Sequence, residues 1–114
     1  MTADLQPTDP LSQVVFIHNY LQLVFQDCGF TLYNSVSYEL GGSAIEQGDP
    51  GFADAVVSLI DQTALVSLGV GSMLTIQFDG GARVRVLASG PGIRGPEAWQ
   101  LNRIGEPGVI AQNV

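Results

Sequence analysis

The chain of 114 residues contains no lysine, and its basic side chains are four arginines. All four (Arg83, Arg85, Arg94 and Arg103) follow position 82, so residues 1–82 carry nine acidic groups and no basic one. The net charge is −7. A surface of that sign repels phosphate backbones and anionic headgroups, so neither nucleic acid nor a membrane is expected as a partner. The late arginines are expected to neutralise part of the acidic surface internally. The alternative is that the acidic half attracts a basic protein partner.

Cysteine and histidine occur once each. Cys28 cannot form an internal disulfide, and its neighbour Asp27 is an anion where a reactive thiolate wants a cation. His18 cannot build a two-histidine zinc site, and one cysteine supplies no cysteine-pair spacing. No metal and no cofactor is therefore expected. Cys28, His18 and Asp27 are the right residue types for a nucleophile, a base and an orienter, but nothing in their spacing brings them together. No catalytic set is assigned, and the chain reads as non-enzymatic. Apolar runs stop well short of the roughly 18 residues a membrane helix needs. The opening segment Met1–Gln13 has two aspartates and no basic residue, unlike a secretory leader, so the expected compartment is the cytoplasm. The stretch Gly90–Gly95 matches G-x-G-x-x-G, but Pro96 and a strand pattern follow where a helix is required, and the match is discarded.

What is present is alternation. Apolar residues make up 46% and charged residues 13%, a balance that suits one folded domain burying roughly 65% of its unfolded surface. Residues 1–12, broken by Pro7 and Pro10, read as a flexible arm, and 13–114 as the single domain. "VVFIHNY" reads as a strand, and "LQLVFQ" alternates with Leu21, Leu23 and Phe25 on one face. Asp27-Cys28-Gly29 is the expected turn, and "FTLYNSVSYEL" the return. Gly41–Asp49 reads as a loop. Asp49-Pro50 opens a predicted helix over 50–63, with Phe52, Val56, Leu59 and Ile60 on one stripe.

After that helix the first pattern restarts. Leu74, Ile76 and Phe78 stand 53 positions after Leu21, Leu23 and Phe25. Past the turn the offset is expected to fall to 52, aligning Ala82 and Val84 with Phe30 and Leu32. The repeat units are about 13–40 and 64–88, read as a duplicated strand–hairpin. A last hairpin follows, with "EAWQLNRI" and "VIAQNV" as its strands. The predicted core is Leu23, Phe25, Leu32, Phe52, Val56, Leu59, Ile60, Leu74, Ile76, Phe78, Val84 and Trp99.

Leu74, Ile76, Phe78, Asp79 and Gly80, followed by Glu97-Ala98-Trp99, carry a resemblance. The chain resembles a family of small, mostly bacterial proteins with a duplicated hairpin and a Glu-Ala-Trp motif near the end. Pro96 stands where that pattern has an aromatic residue, and the tail lacks its double glycine. The resemblance implies an α+β fold, no established activity, and an immunity- or accessory-type role in binding another protein.

The expected fold class is α+β, with two related antiparallel β-meanders forming one sheet or half-barrel around a single central helix. Four residues are candidates for a pocket or interface: His18, Asp27, Asp79 and Trp99. The expected function is protein binding through the acidic outer surface. The alternative is a small-molecule-binding or hydrolytic domain with a pocket between the meanders, using Asp27, Asp79 or His18, the two aspartates standing in equivalent turns as a candidate carboxylate pair. A homodimer through edge strands is the third expectation.

Overall fold

The computed structural model describes residues 5–18, 20–69, 73–86, 93, 95–103, 105–106 and 108–112. Ten strands form in the order β1 (Leu11–Ile17), β2 (Tyr20–Phe25), β3 (Cys28–Leu32), β4 (Val36–Leu40), β5 (Ser43–Glu46), β6 (Ala64–Leu68), β7 (Leu74–Phe78), β8 (Arg83–Val86), β9 (Glu97–Arg103) and β10 (Val109–Gln112). One helix, α1 (Phe52–Val57), lies between β5 and β6. The strands make two antiparallel five-stranded sheets, β1-β2-β3-β9-β10 and β5-β4-β8-β7-β6.

The expected α+β class is therefore corrected to an all-β architecture. The two meanders do not share one sheet. β1-β2-β3 lies in the first sheet and β6-β7-β8 in the second, and their apolar faces enter a single core. Phe25 and Phe78, matched by the repeat, stack across that core with ring centroids 6.4 Å apart and planes at 13°.

No central helix exists among the described residues. Helical pairing of the predicted 50–63 segment ends at Val57, and the chain continues in three-residue turns: Leu59 N–H donates to Val56 O, and Ile60 N–H to Val57 O, each at 3.1 Å. Asp61 then adopts a left-handed φ of 78°. The β-branched residues Val56, Val57 and Ile60 favour helix weakly, and the stripe of Phe52, Val56 and Leu59 reaches the core through turns as readily as through a helix. α1 packs against β1 of one sheet and β4 of the other.

The second hairpin was hidden in the expected loop. Gly41 and Gly42 take φ of 60° and 85°, and Leu40 pairs with Ser43 across them. Two consecutive positive φ values make the two-residue turn that matches strand twist, and glycine takes them without steric cost. The expected return strand "FTLYNSVSYEL" is likewise two strands. It breaks at 33–35, where buried Asn34 marks the crossing from the first sheet to the second.

The same crossing occurs after β8, so the sheets have the same plan. Each is a three-strand meander from one half of the chain followed by a hairpin from the other: β1-β2-β3 with β9-β10, and β6-β7-β8 with β4-β5. The register across the repeat also differs from the expected one. Leu23 pairs with Phe30, whereas Ile76 pairs with Val84, so Phe30 corresponds to Val84 and Cys28 to Ala82. The first turn is Gln26–Asp27, with Cys28 and Gly29 already in β3, and the second turn is the longer Asp79–Gly81. The shift is two residues, which leaves every side chain on its expected face.

Candidate functional site

The four sequence candidates do not converge on one site. Trp99 is buried in β9, paired with Leu32 on β3, and belongs to the core. His18 lies in the β1–β2 turn with φ of 39°, beside a surface depression of about 390 Å³ that it shares with Phe16, Asp49 and Phe52. Asp79 lies in the β7–β8 turn, beside another depression of about 390 Å³ bounded by Thr63, Leu65 and Gln77. Asp27 is held elsewhere. Among the described residues no three His, Cys, Asp or Glu side chains gather as a metal site.

Asp27 organises the best-built polar cluster. Its Oδ2 accepts from Arg103 Nη1 at 2.8 Å and from the Thr8 main-chain N–H at 2.9 Å. Arg103 also donates through Nη2 to Gln6 O at 2.9 Å and lies 3.9 Å from Glu106. The Asp27 and Arg103 side chains are 19% and 15% exposed, so their pairing is shielded more than a surface contact. Burial pushes the Asp27 carboxyl up, but hydrogen bonds from the Thr8 main chain and side chain and from the Asp27 and Asp9 main chains outweigh it. The carboxyl ends below its ordinary value. Residues near the start of the chain are thus fastened to the β2–β3 turn and the end of β9. Composition around Pro7 and Pro10 carried no signal of this, because the fastening runs through partners 19 and 97 positions away.

The two outer faces differ in charge: the second sheet's carries Glu39, Arg83 and Arg85. The outer face of the first sheet carries Val15, Gln22, Thr31, Gln100 and Ile110 in one row across all five strands, with no charged residue among them. Its polar groups bond to one another: Gln22 Nε2 to Thr31 Oγ1 at 3.2 Å, Tyr33 OH to Gln100 Oε1 at 2.9 Å, and Gln100 Nε2 to Asn102 Oδ1 at 3.0 Å. Desolvation, with Glu97 and Tyr20 nearby, raises the Tyr33 phenol above its ordinary value, which keeps it a donor.

Most of the acids lie elsewhere. Arg103 is taken up by Asp27 and Glu106, and Arg85 by Glu39 at 3.4 Å on the outer face of the second sheet. Glu46, Asp49, Asp54, Asp61 and Asp79 have no ion-pair partner among the described residues, and all are exposed. They follow the chain from β5 through α1 to the β6 and β7 ends. The same region exposes apolar side chains, with Leu65 72% and Leu68 50% exposed on β6.

Comparison with protein-family models, with curated proteins and with solved structures finds no match to this chain. No helix among the described residues is long and apolar enough to cross a membrane.

Proposed function

We propose that this chain is a non-enzymatic protein-binding domain, of immunity or accessory type, that engages a basic partner through the acidic surface running from β5 to β6. One observation carries this reading: the described ion pairs take Asp27, Glu39 and Glu106, and of the described acids outside them the exposed ones, Glu46, Asp49, Asp54, Asp61 and Asp79, follow one stretch of chain, while Asp9 and Glu97 are half-buried elsewhere and Arg83 on β8 is in no described ion pair. Internal neutralisation therefore accounts for part of the acidic excess and not for this region. Exposed Leu65, which borders the same depression as Asp79, and Val57, in the same helix as Asp54, supply the apolar contact that a charged surface alone lacks. The space between the meanders, where a ligand pocket would lie, is filled by side chains including the stacked Phe25 and Phe78.

The reading is tested by capture from lysate of the source cell at low and at about 150 mM salt, where the screening length falls to about 8 Å. A partner identified by mass spectrometry should be retained by the wild type and released by salt. The triple variant Glu46→Lys/Asp49→Lys/Asp54→Lys should lose it while keeping the wild-type circular dichroism. Equal retention by the folded triple variant would overturn the reading.

A further inference from the structure

β6 is the outermost strand of the second sheet. An outermost strand presents unpaired N–H and C=O groups on its free side, and alternation places those of Ala64, Val66 and Leu68 there. What meets Val66 is a side chain. Gln6 Nε2 donates to Val66 O at 2.7 Å, and Gln6 Oε1 accepts from Val66 N–H at 2.8 Å. One primary amide thus makes both bonds that a neighbouring antiparallel strand would make with that residue. Farther along, Leu11 N–H donates to Gln62 O at 2.9 Å, and Asp61 N–H donates to Leu11 O at 2.8 Å. Between these two fastenings stand Pro7 and Pro10, which lack the N–H a regular ladder needs. Segment 6–11 therefore covers the edge without becoming a strand.

We propose that the β6 edge is a strand-addition site, at which an extended segment of a basic partner protein displaces Gln6 from Val66 and continues the second sheet. This rests on the protein-binding reading above. Main-chain pairing with Ala64, Val66 and Leu68 holds the added strand, and the exposed Leu65 and Leu68 side chains meet its apolar residues. Charge selects the occupant. Asp61 and Asp79 stand exposed at the start of β6 and the end of β7 without ion-pair partners among the described residues. A second copy of this chain would bring another net charge of −7 to this edge, whereas a strand with Lys or Arg at that end complements both aspartates. Gln6 competes with the incoming strand, so its removal strengthens binding.

The probe is a fluorescently labelled ten-residue peptide of alternating Lys and Val, with a control that carries N-methyl groups on alternate amides. Anisotropy titrations compare the wild type with Gln6→Ala at about 20 mM salt. The expected result is about tenfold tighter binding of the peptide by Gln6→Ala, with the gain abolished by N-methylation and the Val66 amide newly protected from exchange in the complex. Salt-sensitive binding unchanged by Gln6→Ala and by N-methylation would overturn the edge site and leave the acidic-surface reading standing. Absence of binding to both folded proteins would count against both. Concentration-dependent dimerisation of Gln6→Ala without peptide would overturn the choice of a basic partner in favour of a second copy.

Discussion

Asp27 shows how one carboxylate ties distant residues together. It joins Thr8, its own turn and Arg103, positions that the sequence separates by 19 and 76 residues. Asp27→Asn removes the charge from this pairing and should cost about 1.5–3 kcal/mol, the range for a hydrogen bond to a charged group. The pH dependence follows from its lowered native value. That stabilisation is full above the ordinary carboxylate value of 3.8 and is lost as pH falls below it through the native value. Urea denaturation should therefore show a gap between wild type and Asp27→Asn at neutral pH that closes in acid. Asp61 offers a test of opposite sign. A left-handed φ of 78° strains a residue with a Cβ, though aspartate less than most. Asp61→Gly relieves that strain against the greater freedom of glycine in the unfolded chain, and should raise the urea midpoint by a net gain below about 1 kcal/mol.

At the level of elements, alternation was legible wherever one face is buried. Leu21, Leu23 and Phe25, and Leu74, Ile76 and Phe78, all point inward as their period of two required. The expected core is buried throughout apart from Ile60, which packs against it half-covered. The 50–63 helix was overextended because the spacing of Phe52, Val56 and Leu59 does not distinguish a helix from successive turns. The repeat register was off by two residues for a related reason: period two fixes the face but not the partner. β5 escaped notice because Ser43–Glu46 is too short and too exposed to alternate clearly. The Gly41-Gly42 pair was its one sign. Phe78→Ala should cost about 3–5 kcal/mol, since the ring is buried and stacked on Phe25. A double-mutant cycle with Phe25→Ala should give a coupling above about 0.5 kcal/mol, as contacting residues do.

Over the whole molecule, the exchange of hairpins binds the two halves. β4-β5 completes the sheet of the second meander and β9-β10 that of the first, so cutting between β5 and β6 leaves each meander without the hairpin that pairs with it. Segments 1–63 and 64–114 should each be unfolded when expressed alone and should regain β-sheet circular dichroism on mixing. The site was less legible than the fold. Sequence placed the acidic excess correctly along the chain but not its relation to the β6 edge, because the Gln6–Val66 contact spans 60 positions and involves a residue type with no strong local preference. Trp99 is core, as its place in the predicted core requires, and Asp27 serves as a fastening between distant segments, which residue type alone does not reveal.

The edge-site account depends on the N-terminal segment covering that edge. Native-state hydrogen exchange of the Val66 amide tests this most directly. In the wild type Val66 should be protected, and Gln6→Ala or Asp27→Asn should raise its exchange about tenfold or more while Leu23 and Ile76 stay protected. Free exchange of Val66 in the wild type, or protection indifferent to both substitutions, would contradict the account.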